Sequence, residues 1–417
     1  MRLVLAALSA AIAVALVSVT GVARAQDDAL PLSLPETLVR ADREAPEVTR
    51  ARRAVRESEA RRIGAGVIMP VNPRLSVDAR PPLTGAFPSG VGYSASVDFL
   101  FEVSGAGGAR IREAAHHTEV ARADLAVQRL HARADAWTAY LHVQVSDQRI
   151  ALAQSAEHIA VGVLDASRKR AAAGAAGDIE PSTATLELAL VRAMLASVLR
   201  EREVRIMELR ETLDLEATRP IELTTALPDP PNIEDKDAAV ATALTSRPEL
   251  GVIRSRVSLL DVSDERLAKE AFPKTGFYVG VDSSPSSVPF GIVGVSVELP
   301  VAQRNQGPRA MVAESRASEL VGLSLSSRRI AREVLATRAA YSARVAELKV
   351  LDDDAVPAAE RTFQLVEQGW RAGRLDIFRV SSAARDLASV RDRRLSVLEA
   401  AWTERIALAG AMGVVQP

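Results

Sequence analysis

The stretch Val91-Gly-Tyr-Ser-Ala-Ser-Val-Asp-Phe-Leu-Phe101 alternates with a period of two. Val91, Tyr93, Ala95, Val97, Phe99 and Phe101 fall on one face; Gly92, Ser94, Ser96 and Asp98 fall on the other. That period belongs to an extended strand, in which successive side chains point to opposite faces. Val293, Val295, Val297 and Leu299 alternate in the same way with Gly294, Ser296 and Glu298, as do Leu75, Val77 and Ala79 with Arg74, Ser76, Asp78 and Arg80. A fourth segment, Thr275 to Asp282, is similar but less clean. Runs of roughly 8–11 residues, apolar on one face, have the length that crosses a bilayer as a tilted strand. A half-buried sheet of a soluble domain alternates identically. The connecting loops, 81–90 and 283–289, are rich in Pro, Gly and Ser and suit exposed tips. Four strands do not close. An open edge in lipid leaves backbone groups unpaired, so membrane-spanning strands here need a barrel shared between copies.

Working outward, the chain is written twice. Ser96-Val97-Asp98-Phe99 lines up with Ser296-Val297-Glu298-Leu299, and Gly107 with Gly307, both 200 residues apart. Upstream, Pro46-Glu47-Val48 resembles Pro248-Glu249-Leu250. Downstream, Gly177-Asp178-Ile179 resembles Leu375-Asp376-Ile377. The common order gives a first repeat over 26–219 with a β-hairpin at about 71–104. A Pro-rich linker follows over 220–235, then a second repeat over 236–417 with a hairpin at about 274–300. Each repeat reads as a helix (about 35–66 and 236–271), two strands, a very long helix and a returning helix.

The long helices need a reason. From about Ala109 to Arg170 there is no proline and almost no glycine, a rod of ~90 Å at ~1.5 Å per residue. Such a rod must pack along other helices, and a seam through Leu125, Leu130, Ala134, Trp137 and Leu141 allows it. The second rod, about Pro308 to Arg371, contains Pro357, where a kink or break is expected. Asp352-Asp353-Asp354 just before it reads as a solvated face or an N-cap for the restarting helix, with a metal site as the alternative. Both rods end in small-residue reversals, one through Ala173, Gly174 and Gly177, the other through Gly373.

Composition narrows the class. Apolar residues make up 48% but aromatics only 4%, and net charge is −1, so there is no polyanion-binding signature and no call for nucleic acid. Arg2, an apolar run from Leu3 to about Val19, and Ala23-Arg24-Ala25 read as a cleaved signal peptide over 1–25, with a membrane anchor as the alternative. No other segment reads as apolar enough to cross a bilayer as a helix. The absence of cysteine excludes disulfides, thiolate metal sites and an N-terminal lipid on cysteine.

These features together resemble the TolC family of outer-membrane efflux proteins. The residues that carry the resemblance are Arg247-Pro248-Glu249-Leu250 opening a helix, Ala271-Phe272-Pro273 entering a strand, and Leu299-Pro300-Val301-Ala302-Gln303-Arg304-Asn305-Gln306-Gly307 leaving one. The others are Pro357-Ala358-Ala359-Glu360, Ala372-Gly373-Arg374-Leu375-Asp376-Ile377 and the terminal Leu408 to Gly413. The 304–307 junction looks most like the branch serving cobalt–zinc–cadmium and related metal exporters. The resemblance implies a mainly α fold with a small transmembrane β part: a homotrimer whose α-helical tunnel joins a shared 12-stranded β-barrel. It implies an outer-membrane channel with a long periplasmic extension, a passive conduit for metal ions, drugs or other solutes in a tripartite efflux or type I secretion system. A periplasmic adaptor and an inner-membrane pump would be its partners. It places the helical reversals at a periplasmic aperture, with Asp376 at an acidic gating position, Asp178 as its counterpart, and Gly174, Gly177, Gly373 and Arg374 at adaptor-docking tips. Arg379 stands where some members carry a second carboxylate, which permits an Asp–Arg latch; ordinary solvated cap charge is the alternative for Arg374, Asp376 and Arg379.

His116, His117, His131, His142 and His158 all fall on the first rod, none three or four residues from another, so no helical metal pair forms. Gly105-Ala-Gly-Gly108 lacks a P-loop lysine and reads as a hinge. No catalytic constellation has supporting context, so no enzyme, cofactor or metal is expected. The rival reading, a periplasmic adaptor with a coiled-coil hairpin, predicts one hairpin flanked by β-rich halves.

Overall fold

Two short strands, β1 (Leu30–Leu32) and β4 (Ile221–Leu223), pair in parallel and fasten the start of the first repeat to the linker that precedes the second. The computed structural model describes residues 29–67, 69, 71–81, 90–284 and 288–415. The apolar leader and its Ala23-Arg24-Ala25 pattern, like most of the first strand-connecting loop and part of the second, lie outside the described residues.

Each repeat opens with two helices where the sequence reading expected one. α1 (Leu34–Glu44) gives way to α2 (Pro46–Ala65), and α5 (Lys236–Ser246) to α6 (Pro248–Glu270). Pro46 and Pro248 sit in the first turn of the second helix of each pair, where a missing N–H costs nothing. They also push the preceding residue out of the helical region: Ala45 has ψ 140° and Arg247 ψ 116°. α1 begins with a capping box, Ser33 and Glu36 each accepting from the other's end of the first turn.

Strands β2 (Arg74–Arg80), β3 (Gly92–Phe101), β5 (Lys274–Ser283) and β6 (Phe290–Glu298) form one antiparallel sheet in the order β2-β3-β5-β6. Leu75, Val97, Val279 and Val293 line up across it on one face; Asp78, Ser94, Asp282 and Phe290 line up on the other. β2 and β6 are its free edges.

The helices keep the same lateral order. α3 (Ala106–Ala172) runs 67 residues, ~100 Å at ~1.5 Å per residue. It enters from β3 through Gly105, left-handed at φ 75°; α7 (Gln306–Val350) enters from β6 through Asn305, left-handed at φ 57°. Near the sheet, α2 packs on α3, α3 on α6 and α6 on α7. Beyond the waist, α4 (Ile179–Thr212) packs on α3, α3 on α9 (Ile377–Met412), and α9 on α8 (Val356–Arg371). The chain is thus a ribbon four elements wide from one end to the other.

The second rod does not kink at Pro357 alone. It passes through a π-turn, Leu351–Ala355, between α7 and α8. Pro357 has no N–H to give to the turn before it, and the ladder widens by one residue upstream to absorb the gap. Asp352 pairs with Arg394 across to α9. The N-cap reading of the aspartates does not hold: Ala355 stands at the N-cap of α8, without a side-chain cap.

Scarce aromatics do specific work at the waist. Trp137 and Trp402 pack at 6.1 Å between ring centroids. The linker is held by side-chain donors: Trp402 Nε1 to the Pro228 carbonyl at 3.0 Å and Tyr341 Oη to that of Pro231 at 2.5 Å. Elsewhere Ala136, Ala184, Ala239, Ala243 and Ala401 are fully buried, the close packing that small residues permit. One expectation needs correction. α4 is long and apolar enough, by length and composition, to cross a membrane. It carries two apolar stripes: Ala184, Leu188, Val198, Ile206 and Leu209 are buried, while Leu186, Leu190, Met194 and Met207 face outward.

Candidate functional site at the helical tips and the sheet

The far end of the ribbon carries two reversals built alike. In the first, the Gly174 N–H donates to the Ala171 carbonyl at 3.0 Å and the Ala175 N–H to that of Arg170 at 2.9 Å. In the second, the Gly373 N–H donates to the Trp370 carbonyl at 2.8 Å and the Arg374 N–H to that of Gly369 at 2.9 Å. Both are Schellman ends, and each needs a left-handed residue: Gly174 has φ 69° and Gly373 φ 74°. Leu375 then folds back over Gly369, whose missing side chain makes room.

The sequence-derived tip residues stand on this surface. Gly174, Gly177, Asp178, Gly373, Arg374, Asp376 and Arg379 are all exposed. Asp376 is the N-cap of α9, its Oδ1 accepting from the Arg379 N–H at 3.0 Å. Among the described residues no ion pair joins the Asp376 carboxylate to the Arg379 guanidinium. Asp178, at the start of α4, has helical backbone and makes no such cap.

What joins the two tips was not read from the sequence. Arg170, one turn before the first reversal, reaches across to the second. Its Nη1 donates to the Trp370 carbonyl at 3.0 Å, its guanidinium lies 5.6 Å from the Trp370 ring centroid, and its Nε meets Glu180 at 3.3 Å. Trp370 is buried among Val163, Leu164, Phe363 and Ile377, and its indole N–H has no partner among the described residues. Nothing local in the sequence pairs Arg170 with Trp370, which stand four and three residues before their tip glycines. Behind the tips, α4 and α9 flank an apolar groove floored by Ile159, Ala160 and Val163 of α3.

The opposite end is the sheet. Leu75, Val77, Val293 and Val295 are 65–70% exposed, with Tyr93, Phe101, Phe277, Val279 and Val281 on the same uncovered face. The other face is polar: Arg80 pairs with Asp282 at 3.1 Å, and Ser94 Oγ bonds Asp78 at 3.4 Å.

Between the ends, rungs of arginine and carboxylate cross the helix seams. Arg309 clasps Asp264 through two bonds of 2.8 and 3.0 Å, and Arg112 meets Glu265 at 2.5 Å. Arg112, with Lys269, holds the Glu265 carboxyl down at about 2, and Arg309 lowers that of Asp264. The histidines take part singly: His131 lies 3.9 Å from Glu249 and His142 3.7 Å from Glu399.

No family model matches the chain. In sequence it is 26% identical, over 318 residues and 73% of each chain, to the cobalt-zinc-cadmium resistance protein CzcC of Cupriavidus metallidurans. In structure it superposes on the outer membrane channel CmeC of Campylobacter jejuni with a TM-score of 0.72 and 10% identity, covering 91% of this chain and 85% of that one. The outer membrane protein VceC of Vibrio cholerae gives 0.71 and 16%, covering 91% and 96%. CusC gives 0.68 and 15%, covering 91% and 92%. The resemblance drawn from the sequence therefore holds: this chain has the fold of the TolC-type outer-membrane efflux channels and a sequence kinship with a heavy-metal resistance protein among them.

Proposed function

We propose that three copies of this chain form a passive outer-membrane channel, the exit duct of a tripartite efflux system. One observation carries the reading: a sheet with one uncovered apolar face and two unpaired edges. Water penalises both, since burying each valine or phenylalanine is worth roughly 1.5–3 kcal/mol. A bilayer covers the face, and copies side by side pair β6 of one with β2 of the next. Three ribbons of four strands make a closed barrel of twelve, and the helices, in the same lateral order, continue it as a tunnel into the periplasm.

In this assembly the polar sheet face lines the lumen and the helical tips form the periplasmic aperture. Asp376, Arg379 and Asp178 ring that aperture, where fixed charge selects or repels ions. Gly174, Gly177, Gly373 and Arg374 present the surface on which a periplasmic adaptor docks, with an inner-membrane pump behind it. The likeness to a cobalt-zinc-cadmium resistance protein favours metal ions over drugs as the solute. The chain supplies a path and no driving force.

Fractionation of expressing cells tests the placement. The protein should stay with outer membranes through a high-salt wash and leave them only in detergent. Release by salt would point instead to a peripheral adaptor.

A further inference from the structure

On the helix side, the apolar face of the sheet outlasts its hydrogen-bonded ladder. β6 ends its ladder at Glu298, but Leu299, next on the odd-numbered face, and Val301, in the turn beyond it, are 69% and 80% exposed. Val103, two residues beyond the end of β3, is 74% exposed.

The loop that carries Leu299 and Val301 is tied to itself. The Val301 N–H donates to the Leu299 carbonyl at 2.9 Å, and Gln306 Nε2 to that of Ala302 at 2.9 Å. The Arg304 N–H donates to Gln306 Oε1 at 2.7 Å, and Arg304 Nε to the Pro300 carbonyl at 3.0 Å. Asn305 Nδ2 pins the loop to the Leu267 carbonyl of α6 at 2.9 Å. The result is a firm knuckle with two branched apolar side chains outward and an exposed arginine beside them. The terminal nitrogens of that guanidinium have no partner among the described residues.

Exposed leucine and valine beside a fixed, unpaired cation suit neither bulk water nor a bilayer interior. They suit the boundary between acyl chains and headgroups, where apolar side chains enter the chains and a cation stays at the phosphate layer. A guanidinium is the side chain best shaped to take a phosphate through two parallel bonds. At ~3.3 Å per residue, the four residues from Val295 to Leu299 carry the chain ~13 Å along a tilted path from the sheet's middle to its helix-side margin.

We propose that the Leu299–Asn305 knuckle is a phospholipid-anchoring site. Leu299 and Val301 seat in the acyl boundary of the leaflet facing the helices, and Arg304 holds a headgroup phosphate. The inference rests on the sheet spanning a bilayer, and its test separates the two. The chain has no cysteine, so a single introduced one places a fluorophore at one site. The full chain is labelled at Val295→Cys, Val301→Cys or Ser258→Cys on α6 and reconstituted in phosphatidylethanolamine–phosphatidylglycerol vesicles containing nitroxide lipids. Labels at 295 and 301 should be quenched several-fold more than at 258, the 301 label best by nitroxides near the headgroup. A 295 label that escapes quenching overturns the membrane-spanning sheet itself. A quenched 295 label with a 301 label behaving like 258 overturns the anchor alone. A 301 label shielded from both nitroxide lipid and aqueous iodide means that the neighbouring copy covers the knuckle, which also overturns it. Native mass spectrometry then counts retained phospholipid. Arg304→Gln should lose at least half of it and Arg304→Lys should keep part; full retention in Arg304→Gln overturns the phosphate contact.

Discussion

Arg170, itself held by the Glu180 carboxylate, ties together two segments 200 residues apart in sequence through the backbone carbonyl and the aromatic face of Trp370. Hydrogen bonds by charged groups contribute about 1.5–3 kcal/mol, enough to bias a tip between closed and open. Arg170→Ala should therefore raise single-channel conductance in planar bilayers several-fold while the waist core keeps the melting temperature nearly unchanged. Equal conductance would remove Arg170 from the aperture's control. Asp376 has two separable jobs. As an N-cap it accepts the Arg379 N–H, and Asp376→Ala should cost α9 about 0.5–2 kcal/mol, whereas Asp376→Asn keeps the cap nearly intact. At the proposed aperture, its fixed charge is removed equally by both. If charge governs permeation, cation selectivity falls in both variants and stability in one only. The tip's small residues and charges were legible in the sequence because reversal chemistry is local. The Arg170–Trp370 contact was not, because nothing local says which face of one hairpin meets the other.

At the scale of elements, period decided what was read correctly. The strands announced themselves by alternation, and even Thr275 to Asp282 pairs in register as β5. The helix break at Pro46 was visible as a proline but read as continuous helix, whereas Arg247-Pro248-Glu249-Leu250 was read as a helix start inside the 236–271 span, and a helix does start there. A proline in a first turn leaves the apolar pattern on both sides intact, so period alone passes over it. Pro357 was read as a break, yet the deformation sits upstream as a π-turn, where the chain redistributes the missing bond. The seams between helices carry a pH signature. Glu265 and Asp264 have carboxyls held below their unfolded values by Arg112, Lys269 and Arg309. Groups depressed in the folded state contribute stability that is present above the unfolded value and lost as pH falls through the folded one. Melting temperature should hold from pH 7 down to about 4.5 and fall between about 4.5 and 2, the span over which Glu265 titrates. In an Asp264→Asn, Glu265→Gln variant that acid slope should be shallower. An identical slope would assign the acid sensitivity elsewhere.

For the whole molecule, the ribbon's width is the decisive fact. Four strands and four helices share one lateral order, so the free edges at β2 and β6 extend along the molecule as two long unsatisfied margins. α4 forms one of those margins, and its Leu190 and Met194 line the groove shared with α9. The internal repeat was legible because duplicated segments keep their spacing. Its proposed closure into a larger body rests on arithmetic, four strands being too few to close. The most direct test of the account is the number of chains in the particle extracted from outer membranes, read by native mass spectrometry in detergent. The account predicts three chains, released as monomers only on denaturation; a single chain, stable and soluble once detergent is removed, would contradict it.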